Sequence, residues 1–161
     1  MSLDYDFEIE TNLSLKEIAE IVAQPHKAEV DENYDFDTKG FCAGVRVKEI
    51  QFEETKIQYL NGYRFIPNIR IGFTQIVRDG FELSQQNIAK SVAALLTKSN
   101  DKVVFMFGYY KTIAQRLEGA VIEVHEAGDE SYPDYYDWLV NEFDKVGLNY
   151  VRKVLRSPLQ E

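Results

Sequence analysis

The chain begins with a strict alternation of apolar and acidic residues. Residues 3–10 read LDYDFEIE, and this period of two predicts a half-buried antiparallel strand with its carboxylates on the outer face. Because neighbouring carboxylates repel each other along a strand, basic neighbours or open water are expected across from them. The period then lengthens. Ser14 and Glu17 form a capping-box pattern ahead of an apolar helical stripe, and Pro25 ends this first predicted helix.

Alternation returns twice in the middle of the chain, after a polar segment. Residues 26–40 are acidic and have little periodicity, so we interpret them as a loop. The segments CAGVRVKEIQF, residues 42–52, and NIRIGFTQI, residues 68–76, both alternate between apolar and polar positions over most of their length. Each of these two segments therefore predicts a further strand of the sheet.

A hairpin and a second helix are predicted between and after these strands. The dipeptide Asn61-Gly62 is favoured in two-residue turns, so strands near 55–60 and 63–66 are predicted to pair across it. Apolar residues at helical spacing then predict a helix near 84–98, which a short run of polar residues ends.

Three short strands and one helix are predicted in the last third of the chain. The strands are KVVFMFGYY, TIAQRLEG and AVIEVHEAG, and the first is apolar on both faces, which favours a central place in the sheet. A helix is expected to begin near Pro133 or Asp134 and to end near Gly147, where a glycine cap would stand. Residues 148–155 are interpreted as a last strand or a frayed helix.

The succession of these elements predicts an α+β fold. Strands joined by short turns outnumber the helices, which favours a mainly antiparallel β-sheet with about three helices packed on one side. A chain of 161 residues is long enough to bury a hydrophobic core, so we expect a single globular domain spanning residues 1–161.

Composition indicates a reducing compartment and no membrane. No apolar run approaches the roughly 20 residues of a membrane span, and the acidic N-terminus is unlike a signal peptide. Cys42 is the only cysteine, which excludes a disulfide within the chain and favours the cytoplasm. The net charge is −9, with acids concentrated in residues 1–38 and 117–144 and bases in residues 39–116. If the two acidic blocks share a face, the protein presents a strong negative field.

Few residues offer a basis for catalysis. Glu123 and His125 fall on one face of a predicted strand, and such a pair can transfer a proton or contribute to a metal site. A cleft near them would support the alternative of an enzyme or small-molecule-binding protein, whereas a solvated surface pair is the simpler interpretation. Cys42 is typical of a small core residue. The glycines form no phosphate-binding motif, and the sequence predicts no catalytic residue, metal site or cofactor.

The basic middle block raises a second alternative, an RNA-binding sheet. Arg46, Lys48 and Arg70 lie at alternating strand positions, and aromatic residues such as Tyr59 and Tyr63 are interleaved with them. An exposed sheet with this pattern could stack the bases of single-stranded RNA. The excess of acids disfavours nucleic acid, because a basic face would have to overcome their field. We therefore expect these bases to pair with carboxylates inside the fold.

The segment ESYPDYYDWLVNEFD, residues 130–144, crowds tyrosines and a tryptophan among carboxylates. On a helix, Leu139 and Phe143 face the core, and the acids form a ridge on the opposite side, bordered by Tyr136 and Trp138. The ridge is either an ordinary solvated helix face or a surface that binds a basic partner, since aromatic residues beside carboxylates are typical of such surfaces.

One acid of this ridge stands where local physics disfavours it. Asp144 lies in the last predicted turn, and the negative end of the helix dipole opposes a carboxylate there, which indicates an external role. The candidate partner-binding residues are Asp129, Glu130, Tyr132, Asp134, Tyr136, Asp137, Trp138 and Asp144.

Three segments carry a resemblance to a known family. LDYDFEIETNLSLKEI, IPNIRIGFTQI and DKVVFMFGYYKTIAQRLEG resemble the small bacterial immunity proteins that are paired with contact-delivered or polymorphic toxins. The likeness lies in an opening strand and helix, a proline-led strand that carries a phenylalanine, and an apolar hairpin. It covers roughly residues 3–119, and no family motif assigns residues that contact the toxin.

The resemblance implies a protein without catalytic activity. Such a protein binds one cognate toxin in the cytoplasm and blocks its active site or an essential surface. An acidic surface suits a basic, nuclease-like toxin, because opposite charge accelerates encounter. The sequence leaves open whether the chain forms a homodimer.

Overall fold

The computed structural model describes residues 4–76, 78, 80–108, 111–117, 119, 121–126 and 136–160. Within these ranges the strands are β1 (Asp4–Glu10), β2 (Asp35–Thr38), β3 (Phe41–Val47), β4 (Ile69–Gln75), β5 (Lys102–Phe107), β6 (Lys111–Arg116), β7 (Ile122–His125) and β8 (Tyr150–Lys153). The α-helices are α1 (Leu15–Ala23), α2 (Glu53–Gly62), α3 (Phe81–Lys98) and α4 (Asp137–Lys145).

The strands form one sheet in the order β2-β3-β4-β1-β5-β6-β7-β8. Neighbouring strands are antiparallel except for β7 and β8, which run parallel. The predicted α+β fold with a mainly antiparallel sheet is therefore confirmed. β5 pairs with β1 on one side and β6 on the other, which confirms the central place that its two apolar faces predicted.

β1 shows how the alternating sequence becomes a central strand. Its buried apolar face consists of Tyr5, Phe7 and Ile9. On the opposite face, Asp6 accepts a hydrogen bond from Nε of Arg70 at 2.8 Å, and Glu8 lies 2.9 Å from Nζ of Lys48. The bases expected across from the carboxylates are thus supplied by the neighbouring strand β4 and by the residue after β3, and they relieve the repulsion along the strand.

Three helices cover one face of the sheet, in agreement with the prediction. α1, α3 and α4 contribute Ile18, Ile88 and Phe143 to the hydrophobic cluster that also contains the apolar face of β1. α1 begins with the predicted capping box, in which Oγ of Ser14 accepts from the N–H of Glu17 at 3.1 Å and a carboxylate oxygen of Glu17 accepts from the N–H of Ser14. These helices build the surface that carries the candidate site.

α2 lies on the other face of the sheet, and the predicted hairpin around Asn61-Gly62 is wrong. Tyr59 of this helix packs in a second cluster with Met106, whose side chain points away from the first cluster. Tyr59 is the only buried residue of α2, so the helix has almost no apolar stripe that the sequence could reveal. Gly62 serves close packing instead of a turn, because a Cβ there would overlap the ring of Pro158.

β2 is a second correction, because it lies inside the segment that was interpreted as a loop. Among the described strands it lies at the edge of the sheet and pairs only with β3, and Phe36 is its one buried residue. A strand of four residues with one core side chain is too short to show an alternating pattern. β8 resolves the ambiguity of residues 148–155 in favour of a strand, whereas the predicted start of the last helix at residues 133–134 lies outside the described residues.

Candidate partner-binding groove

α4 is fixed on the sheet by a buried side and presents the other side to solvent. Leu139, Val140 and Phe143 are buried in the main cluster. Tyr136 precedes the helix with φ of 60°, a left-handed conformation that starts α4 at Asp137. Besides the sheet, α4 packs against α3.

Trp138 stands on α4 at the boundary between core and solvent. Its ring makes edge contacts with Tyr5, Tyr136 and Phe105, at centroid distances of 5.6, 6.2 and 6.4 Å. Such edge-to-face contacts between aromatic rings are favourable beyond the area they bury. The indole is therefore held in a defined orientation while part of it stays accessible.

A groove runs between α3 and α4 beside this indole. It has a volume of about 500 Å³, and its lining residues are Glu82, Gln86, Trp138, Asn141, Glu142, Asp144 and Lys145. We call it the α3–α4 groove. Acidic and amide side chains thus surround one partly buried aromatic ring.

The carboxylates of the α3–α4 groove are not equivalent. Glu142 is 4% exposed, and Nζ of Lys145 lies 2.7 Å from its carboxylate, so this pair is neutral as a whole. Glu82 lies in the first turn of α3, where the helix dipole stabilises its charge. Burial and then the neighbouring carboxylate of Asp144 raise the pKa of Tyr150. Among the described residues, neither Glu82 nor Asp144 forms a salt bridge, so the groove keeps two uncompensated negative charges.

The structure brings only some of the predicted residues into this groove. Trp138 and Asp144 both line it. Asp137 lies at the start of α4 and pairs with Arg152 at 2.9 Å. Tyr136 is 8% exposed, so it does not border an exposed ridge as the helical projection predicted, because it precedes the helix and turns toward the core. The remaining predicted residues, Asp129, Glu130, Tyr132 and Asp134, lie outside the described residues.

Sequence reasoning missed the α3 side of the groove. Glu82 and Gln86 are contributed by a helix that was predicted to begin near residue 84, so Glu82 fell outside it. The one available signal was an acid near the start of a helix, which has a local explanation in the helix dipole. Only the packing of α3 against α4 places it opposite Asp144.

Glu123 and His125, the basis of the enzyme alternative, are engaged with different partners. Glu123 pairs with Lys153 and accepts from Gln115 at 3.1 Å. Burial acts to raise its pKa, but these hydrogen bonds lower the pKa overall. Nδ1 of His125 accepts the backbone N–H of Leu155 at 2.9 Å, and burial lowers the pKa of this histidine. The described residues contain no group of three side chains suited to hold a metal ion.

The bases behind the RNA alternative are mostly paired within the fold. Arg46 lies 2.6 Å from Asp35, and Lys48 and Arg70 pair with β1 as described above. Arg116 is buried and donates to the carbonyl of Leu96 in the last turn of α3 and to that of Asp101 beyond the helix. The pairs of Arg46, Lys48 and Arg70 confirm the expectation that carboxylates inside the fold neutralise these three bases, and they remove charge that RNA would need.

A known family accounts for most of the chain. The model of the SitI3-like family matches residues 3–134. The chain belongs to the SitI3-like family. This membership is consistent with the resemblance to immunity proteins. The SitI3-like match includes α3 but ends before α4, so the two sides of the groove differ in their relation to the family.

No curated protein and no solved structure has significant similarity to this SitI3-like chain. None of the helices in the described part of the chain combines the length and the apolar character needed to cross a bilayer.

Proposed function

We propose that the protein is an immunity protein, which binds one cognate toxin in the cytoplasm and neutralises it without catalysis. The observation that carries this proposal is the α3–α4 groove, where the fixed indole of Trp138 lies among carboxylates that lack a basic partner. Membership of the SitI3-like family supports the same conclusion.

The chemistry of the groove favours a toxin with a basic surface. Uncompensated carboxylates attract a cationic protein over a distance of about 10 Å at moderate salt. A partly buried tryptophan then supplies the aromatic anchor that dominates many interfaces. A nuclease-like toxin fits this description, because a site that binds phosphates is itself positively charged. Blocking that site would neutralise the toxin.

The acidic segment before α4 extends the proposed surface. Asp129, Glu130, Tyr132 and Asp134 precede α4 in the sequence, and with Asp137 they would enlarge the negative field around the groove. We include them in the proposed interface on their charge and on their proximity in sequence to Trp138.

Co-expression tests the proposed function. The product of the neighbouring gene is expressed alone and together with this chain, and growth is measured. We expect the neighbouring product to be toxic alone and harmless with the wild-type chain. A Trp138→Ala variant that folds, as shown by circular dichroism, should protect poorly, because loss of an aromatic anchor weakens binding by about 2 kcal/mol or more. A toxic neighbour that the wild-type chain leaves fully active, and does not bind in a pull-down, would contradict the proposal.

A further inference from the structure

The accessible part of Trp138 faces a groove whose charges are arranged for one kind of guest. The ring is held by three aromatic neighbours, and Trp138 is the only tryptophan of the chain. Glu82 approaches from α3 and Asp144 from α4, on the two walls of the same groove. A group that binds in this groove should therefore be planar, so that it can stack on the indole, and positively charged, so that it can pair with the carboxylates.

The groove has no base of its own that pairs with Glu82 or Asp144 among the described residues. Lys145 lines the groove, but its Nζ lies 2.7 Å from Glu142 and is committed to that nearly buried carboxylate. Asp144 interacts with the hydroxyl of Tyr150, whose pKa it raises, and this interaction uses at most part of its hydrogen-bonding capacity. A carboxylate has about four acceptor positions, so Asp144 retains free ones, as does Glu82.

We propose that the α3–α4 groove binds an arginine side chain of the partner protein, with the guanidinium against Trp138 and its N–H groups directed to Glu82 and Asp144. Arginine is favoured over lysine because its planar group stacks on an indole and donates to carboxylates at the same time. The inference rests on the proposed function for its partner, and it adds the residue type that the groove selects.

Trp138 is a built-in reporter for the test, because it alone supplies tryptophan fluorescence. The full chain is titrated with acetylated and amidated peptides of six arginines, six lysines or six citrullines. Citrulline keeps the planar shape of arginine but lacks its charge. We expect a saturable change in emission with the arginine peptide, an affinity about two- to fivefold lower for the lysine peptide, and no saturable change with citrulline.

A matched pair of variants locates the binding. Glu82→Gln removes a groove carboxylate in the first turn of α3, whereas Glu53→Gln removes an exposed carboxylate in the first turn of α2, on the other face of the sheet. Both variants lose one negative charge from the first turn of a helix. We expect Glu82→Gln to weaken the arginine peptide about three- to tenfold and Glu53→Gln to leave it nearly unchanged.

Equal affinity for the arginine and lysine peptides, or equal effects of the two variants, would overturn the assignment of an arginine to this groove. The outcome is separable from the proposed function. If Glu82→Gln and the wild type bind arginine peptide equally while the wild type still neutralises a toxin, the inference fails and the immunity function stands. If the groove selects arginine but no toxin is neutralised, the inference stands and the function fails.

Discussion

The carboxylates on the open face of the sheet and those of the α3–α4 groove differ in their pairing. On the face away from α1, α3 and α4, Asp6, Glu8 and Asp35 each pair with a lysine or an arginine. On the helical face, Glu82 and Asp144 have no such partner among the described residues, and they flank an aromatic ring. An acidic sequence block is therefore not the same as an acidic surface. Three carboxylates of the first acidic block are neutralised by bases of the middle block, whereas Glu82 and Asp144 in the α3–α4 groove keep their charge.

The largest expected effect concerns the neutralised face. Glu8 is 1% exposed and is held by Lys48 and by the hydroxyl of Tyr59, which links α2 to β1. A Lys48→Met variant leaves a buried carboxylate with one partner, so we expect the free energy of unfolding to fall by about 3 kcal/mol. Urea denaturation measures this change.

Arg46→Met is the matched control for Lys48→Met. Arg46 also pairs with a carboxylate of the sheet, but both partners are substantially exposed, so its loss should cost less than about 1 kcal/mol. Equal losses for the two variants would show that burial does not distinguish the pairs on this face.

A smaller effect is expected on the rate of association, and it should differ between two acidic residues of α4. Asp144 lines the groove without a salt bridge, whereas Asp137 pairs with Arg152 on the surface. We expect Asp144→Asn to slow association with a basic toxin about two- to fivefold, and Asp137→Asn to slow it less, because part of its field is already cancelled. Stopped-flow kinetics at two salt concentrations would measure both rates. A stronger effect of Asp137→Asn would place the contact at the start of α4.

The smallest expected effect is a pH dependence of stability on the helical face. Burial and then the nearby charge of Lys90 lower the pKa of His26, whose Nε2 lies 2.9 Å from Oγ of Ser91. The unfolded chain takes up this proton near pH 6.5 and the folded chain only at lower pH, so stability should fall as the pH drops below about 6.5. His26→Gln should remove part of this slope, which for one full proton is about 1.4 kcal/mol per pH unit. An unchanged slope in chemical denaturation between pH 5 and 7 would contradict the shift.

Local patterns predicted the parts of the fold that local physics determines. The alternation of β1, the capping box of Ser14 and Glu17, and the two apolar faces of β5 each specify an element without help from the rest of the chain. The sequence did not predict α2, because Tyr59 is the only residue of this helix that is buried. The residues of β5 that contact Tyr59 are brought to it only by the folded sheet. The sequence did not predict β2, because four residues are too few to show an alternation of apolar and polar positions.

The sequence predicted the part of the candidate site that lies on α4 and missed the part that lies on α3. Trp138 and Asp144 lie on the same helix, so a helical projection could place Asp144 on the acidic ridge and Trp138 at its border. Glu82 reaches the groove through the packing of α3 on α4, which no spacing along the chain encodes. Tyr136 was misplaced because the helix starts one residue after it, and a change in helix start rotates the exposure of every residue near that end.

A charge-matched pair of double variants tests the central claim most directly. Glu82→Gln with Asp144→Asn removes two unpaired groove carboxylates, and Asp6→Asn with Asp35→Asn removes two paired carboxylates from the other face. The affinity of each for the proposed toxin is measured by calorimetry. The account predicts a loss of about tenfold or more for the groove variant and little change for the sheet variant. Equal affinities, or a larger loss for the sheet variant, would contradict it.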